Sequence, residues 1–240
     1  MKNFDKKNEI YYWYRVKKIS NIIYKENDRD KSLKYINSKF NEIEKPSLKT
    51  IYEMGNIVKS FQRYDLSIKY YTEVLSKLDP TSIIYAEVLY RRGGSYERIG
   101  NEEKADKDLL KSLDINPGEA HVLNYLAYSW LERNYKIDSA IDMLEKAYAQ
   151  RKNDPYIIDS IGWAYYLIGD YIEAEKLLRR AVQLMPLDPI VNDHYGDILW
   201  KLGRKTQANY FWKNVLTLED TEDKMKDDIY YKLLKGLQNT

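Results

Sequence analysis

The segment PYIIDSIGWAYYLIGDYIEAEKLLRRAVQLMPLD, from Pro155 to Asp188, restricts this chain to one kind of architecture. Ile158, Ile161, Gly162 and Tyr165 fall at the spacing of one helical face, and Gly169-Asp170 interrupts it. Ala174, Leu178 and Ala181 resume the face, and Pro186 ends it. The small side chains predict two antiparallel helices in close approach, with Gly162 facing Ala174 and Ala181 admitting the next helix. Helices of about 12–15 residues are marginal alone, so order must come from stacking, and the array should unfold from its ends.

The period recurs along most of the chain. Residues 8–25 suit a helix with Trp13, Val16, Ile19 and Ile23 on an apolar stripe that also takes in Ile10, Tyr14 and Ile22. Asn27-Asp28 reads as a turn, and Leu33, Ile36 and Phe40 point inward on a second helix stopped near Pro46. Ser20 and Ser32 stand where small residues are expected, so 13–47 reads as a degenerate repeat. The next repeat, 48–85, carries Ile51, Met54, Gly55 and Val58, then Ser67, Tyr71 and Val74. Gly93 follows Gly55 by 38 residues, so an extra turn around Thr81 to Tyr85 should lengthen the following helix. In 86–119, Leu89, Gly93 and Tyr96 precede Ala105, Leu109 and Ser112, while Arg92 in an apolar slot should weaken the pair. In 120–154 the step from Ala127 to Ala140 is 13 residues against 12 from Gly162 to Ala174, which places an inserted residue in Asn134-Tyr135-Lys136. After 155–188, the repeat 189–222 has Gly196, Gly203-Arg204, Ala208, Trp212 and Val215. Residues 223–238 predict a last helix with Met225, Ile229, Leu233, Leu234 and Leu237 on one side and Lys and Asp opposite.

These segments resemble the tetratricopeptide repeat (TPR), whose pattern is an apolar residue, x2, Leu-Gly, x2, Tyr, then Ala, x3, Phe, then Pro. The resemblance implies an all-α fold, an α-α superhelix (TPR solenoid) of about six helix-turn-helix repeats over 1–240 with a C-terminal capping helix. The last repeats, with DSIGWAYYLIGDY and NDHYGDILWKLGR, are similar over roughly residues 115–220 to a bacterial TPR family. Some of its members are envelope lipoproteins that act as adaptors for proteases and cell-wall enzymes. The resemblance therefore implies a non-catalytic scaffold or adaptor that binds a protein or peptide partner.

Such a superhelix lines a concave groove with the first helix of each repeat. The residues this implies are Asn124, Tyr125 and Tyr128, then Tyr156, Asp159, Trp163 and Tyr166, then Asp193, His194, Asp197 and Trp200. Aromatic rings with amides and carboxylates suit an extended peptide, since rings supply area at low entropy cost and the polar groups bond its backbone. The competing reading packs some of these rings between repeats. A carboxylate clamp needs Lys, Asn and Arg on successive first helices, and the cations are missing. The acidic end of the groove should instead favour a neutral or basic segment. Asp193, His194 and Asp197 share a face, yet a chain with two His does not advertise a metal site, and a water-exposed groove face is the expectation.

Composition removes other chemistries. There is no cysteine, hence no disulfide framework, thiolate nucleophile or thiolate metal site. Gly93-Gly94 lies inside a helix, so no phosphate loop is expected, and no nucleophile turn occurs. Neither catalysis nor a cofactor is expected. Net charge is +2, but residues 1–47 hold 12 Lys+Arg against 7 Asp+Glu, while 155–222 hold 7 against 10. The basic start and the YYWY run at 11–14 leave a weak single-stranded nucleic-acid binder as an alternative, though the net charge argues against nucleic acid as the partner. A regulatory TPR portion of a larger enzyme or envelope assembly is another. No apolar run reaches a membrane span, and Arg15, Lys17 and Lys18 interrupt any signal-like core. The sequence as written is expected to be a cytoplasmic monomer, or periplasmic or envelope-associated if it is a fragment of a longer chain.

Overall fold

The computed structural model describes residues 5–26 and 28–237. Residues 1–4, the Asn27 half of the expected first turn and Gln238 at the expected end of the last helix lie outside them. The described residues form thirteen helices and no strand, in two compact units, Met1–Pro117 and Gly118–Thr240.

The first unit contains three helix pairs: α1 (Lys6–Lys25) with α2 (Arg29–Asn41), α3 (Leu48–Ser60) with α4 (Tyr64–Leu75), and α5 (Ile83–Arg98) with α6 (Glu102–Ile115). Local chemistry starts five of these six helices. The side chains of Asp5, Asp28, Ser47, Ser82 and Asn101 accept a first-turn N–H of α1, α2, α3, α5 and α6. A continuous apolar core runs through Trp13, Ile36, Phe40, Ile51, Met54, Val58, Tyr71, Val74 and Leu89. Phe40 meets Trp13 and Tyr70 edge-on, at 5.7 and 5.4 Å between centroids. A Cβ on Gly55 would stand 2.8 Å from Tyr71 Cε1, so glycine is what lets this ring lie against α3.

The degenerate first pair has its own adhesive. Ser32 Oγ donates to the Ser20 carbonyl at 2.7 Å and lies 2.8 Å from Ser20 Oγ, with both residues buried. Ser67 donates to Ser95 in the same manner at 2.8 Å. Hydroxyls at Ser20, Ser32 and Ser67 therefore fill positions where the repeat pattern asks for Gly or Ala, and each is satisfied. Buried Glu9 accepts the Ser47 N–H at 2.9 Å, the Ser47 hydroxyl at 2.8 Å and the Thr50 hydroxyl, which ties α1 to the start of α3. Arg92 does not weaken its pair as expected. It grips Asp108 with two bonds of 2.7 and 2.8 Å and also donates to Thr72 at 3.0 Å. The extra residues before Gly93 lengthen α5 to 16 residues, against 13 in α3.

The second unit runs α7 (Ala120–Glu132), α8 (Ile137–Gln150), α9 (Pro155–Leu167), α10 (Tyr171–Leu184), α11 (Pro189–Lys201), α12 (Lys205–Val215) and α13 (Asp223–Lys235). Asp154 and Asp188 cap α9 and α11, and each is followed by a proline that needs no hydrogen bond at the first helical position. The inserted residue between α7 and α8 is absorbed by left-handed backbone at Asn134 (φ 51°) and Lys136 (φ 45°). The close approach at Gly162 is present, but its partner differs. A Cβ there would lie 2.9 Å from Leu178 Cγ and 3.2 Å from Leu177 Cβ. Ala174, one turn earlier on α10, is buried without being the residue Gly162 admits. At Gly196 the constraint is tighter: a Cβ would meet the Trp212 ring at 2.5 Å. On α13, Ile229 is fully buried, whereas Leu234, expected on the packed side, is 80% exposed.

Candidate functional site

In the second unit α9 lies between α7 and α11, and side chains from all three gather on one face. Its base is an ion pair. Asp159 on α9 meets His194 Nδ1 on α11 at 3.0 and 3.1 Å, and both residues are buried. Burial alone would pull the imidazole down, but Asp159, with Asp193 and Asp197 behind it, raises His194 above the ordinary histidine value. The His194 ring is stacked on Trp163 at 4.1 Å and 11°, and Trp163 in turn is stacked on Tyr166 at 4.6 Å and 8°. Tyr128 of α7 leans on His194 at 6.3 Å, and Glu132 accepts the Trp163 indole N–H at 3.2 Å. Burial, reinforced by Glu132 and Asp159, pushes the Tyr128 phenol up, so it stays neutral. Tyr166 is raised by burial and by Asp197. These half-buried rings form a fixed aromatic ledge with one wet edge.

A second polar cluster adjoins it. Lys232 of α13 bonds Asp193 at 2.6 Å and Asp197 at 2.8 and 2.9 Å, while Asp197 also accepts the Trp212 indole N–H at 2.9 Å. Burial and neighbouring Asp193 push Asp197 up to about 6, against the pull of Lys232. Lys232 itself is lowered by burial, but the two carboxylates outweigh that and raise it.

The structure thus brings together Tyr128, Asp159, Trp163, Tyr166 and His194, with Asp193 and Asp197 next to them. The expected water-exposed acidic face is not found at Asp159, His194 and Asp197. All three are buried, because His194 and Lys232 compensate the charges internally. Tyr156 stands exposed at the start of α9. Trp200 belongs to a separate group with Trp212 at 5.2 Å and Lys205 at 5.0 Å. Tyr125 is half-buried on α7, and Asn124 beside it has a buried Oδ1 with no hydrogen-bond partner. Glu132 and Lys232 were missed by the sequence reading. Lys232 had a signal: it lies three residues after Ile229 and seven after Met225, on the stripe that packs.

Among the described residues no group of three His, Asp or Glu is placed to hold a metal ion, and no helix is long and apolar enough to cross a membrane. A tetratricopeptide-repeat profile matches residues 86–119 and 157–186, which cover α5 with α6 and α9 with α10. A TPR repeat-containing protein of Pseudomonas aeruginosa is 31% identical over 139 residues, 58% of this chain. The chain spans about a fifth (22%) of that relative's length. Three solved structures share the fold. A thermophilic TPR protein of Thermus thermophilus has TM-score 0.63 and 18% identity over 78% of this chain and 100% of its own. The type IV pilus biogenesis factor PilW has TM-score 0.65 and 17% identity over 79% and 85%. PilF of Pseudomonas aeruginosa has TM-score 0.61 and 14% identity over 79% and 86%. Among its described residues the chain is all-α, with the fold of these TPR structures, and tetratricopeptide repeats are matched at the two segments named above. Proteins of this class generally mediate protein–protein interactions, typically as non-catalytic scaffolds.

Proposed function

We propose that this chain is a non-catalytic adaptor that holds an extended segment of a partner protein against the aromatic ledge of α7, α9 and α11. The observation that carries this reading is the Tyr166–Trp163–His194 stack, three near-parallel rings fixed by a buried ion pair, with His194 buried and Trp163 and Tyr166 half-buried. A pre-ordered ring surface loses little entropy on binding, and Trp and Tyr are the residue types most often energetically dominant at interfaces. Because His194 and Lys232 already neutralise the acids below, the ledge favours contact through rings and backbone amides over strong cation capture.

The experiment is an affinity pull-down with wild type and with Trp163→Ala, followed by direct binding of each recovered protein in purified form. A partner lost with Trp163→Ala and bound stoichiometrically by wild type supports the reading. Equal recovery by both proteins refutes it. A second reading, a TPR portion that regulates a longer protein or an envelope assembly, is favoured by the length of the Pseudomonas relative outside the matched region. It requires the partner segment to lie in the same polypeptide, which limited proteolysis of a longer gene product would test.

A further inference from the structure

The outward face of α1 combines cations with exposed apolar side chains. At 3.6 residues per turn, an arc of about 140° of this helix holds four cations, Lys7, Arg15, Lys18 and Lys25. Between them stand Ile10, Tyr11, Tyr14 and Ile22, which are 50%, 65%, 60% and 51% exposed. No carboxylate shares this arc. Glu9 points the other way, into its bonds with Ser47 and Thr50, Asp5 is spent on capping the helix, and Glu26 lies at the far margin. From α2, Glu42 is engaged by Tyr12 and Lys39. Among the described residues, none of the four cations makes an ion pair; Arg15 lies over the Tyr11 ring at 6.0 Å. A cleft of about 530 Å³ opens beside the arc, lined by Asn8, Tyr11, Tyr12, Arg15, Ile19 and Tyr35.

We infer that this face of α1 docks on an anionic membrane surface, lying flat with Ile10, Tyr14 and Ile22 at the headgroup boundary and the lysines reaching outward to lipid phosphates. Such a helix needs apolar residues to enter the interface and cations to answer the lipid charge, and it does not need to span. Tyr and Lys suit that boundary because each has an apolar body and a polar tip. Single-stranded nucleic acid fits less well. Base stacking needs open ring faces, yet Tyr11 is covered by Arg15, and two of the four apolar places are isoleucines, Ile10 and Ile22, with no π-face to offer. This inference is independent of the aromatic ledge on the second unit.

The test is co-sedimentation of the full chain with vesicles of phosphatidylcholine alone and with vesicles in which part of it is replaced by phosphatidylglycerol. Wild type should pellet with the anionic vesicles only, and added salt should release it. Two cations near such a surface contribute together roughly thirtyfold in partitioning, so Arg15→Gln with Lys18→Gln should weaken binding by that factor. Ile10→Ser with Tyr14→Ser should also weaken it severalfold while leaving all four cations in place. All four positions are exposed, and far-UV circular dichroism verifies that the variants remain folded. Wild type that stays in solution with anionic vesicles overturns the inference. Binding that the serine pair leaves intact, and that a single-stranded oligonucleotide displaces, overturns it in favour of a polyanion site.

Discussion

Gly196→Ala tests how tightly the second unit is packed around its tryptophan. The new methyl would stand 2.5 Å from both Cδ1 and Nε1 of Trp212, a fully buried ring with the Trp200 ring 5.2 Å away. The indole must shift, and its N–H then leaves Asp197, now 2.9 Å away. Overpacking of this kind costs about 1–3 kcal/mol, and a lost bond to a charged acceptor about 1.5–3 kcal/mol. Replacing glycine inside a helix returns about 1 kcal/mol, so the net loss is about 1.5–5 kcal/mol. Gly162→Ala is the control. Its nearest contacts would be Leu178 Cγ at 2.9 Å and Cδ2 at 3.0 Å and Leu177 Cβ at 3.2 Å, and a leucine branch turns aside at lower cost than an indole. That variant should fall within about 1 kcal/mol of wild type once the helix propensity gain is included. Urea denaturation followed by tryptophan emission and by circular dichroism measures both. If Gly196→Ala matches Gly162→Ala in stability, the close packing of Trp212 on α11 is wrong.

Three further outcomes are expected. Arg92→Ala strands buried Asp108 and should cost about 3 kcal/mol in urea denaturation, whereas Arg92→Met with Asp108→Leu should recover most of it; a harmless single variant would contradict the pair's burial. Trp163→Ala with Tyr166→Ala should abolish partner capture and retain helicity by circular dichroism; collapse of helicity would make these rings core. Stability of the second unit should fall as pH rises above the ordinary histidine value near 6.5. His194 binds its proton more tightly folded than unfolded, so its contribution is complete below the unfolded value near 6.5 and drains away as pH passes the higher folded value. Asp197, pushed up to about 6, likewise loses its contribution between 3.8 and 6. His194→Gln should flatten the melting-temperature profile above pH 6.5, and an unchanged profile in that variant would show that the pair is not linked to folding.

The helical hairpins were legible because their signals are local. Gly162 and Gly196 mark close helix contacts whatever lies further away, though not that Leu178 and Trp212 are what they admit. Arg92 was misread for the opposite reason: its stabilising partner, Asp108, sits on the next helix, and a residue-by-residue pattern weighs neither charge against the other. The candidate site divides in the same way. Trp163 and Tyr166 could be placed on one helix face from spacing alone. That His194 would slide between them and Asp159 depends on how α11 sits against α9, which no spacing within one helix encodes. Ser20 and Ser32 look like flaws in the repeat until their hydroxyls are seen to meet.

Lys232 reaches its carboxylates from 35 residues beyond Asp197. A preparation trimmed ahead of that lysine would leave Asp193 and Asp197 adjacent with no counter-ion between them. The ledge would then border two negative charges that Lys232 compensates in the untrimmed protein. Screens run on clipped material would select for a charge preference created by the clipping itself.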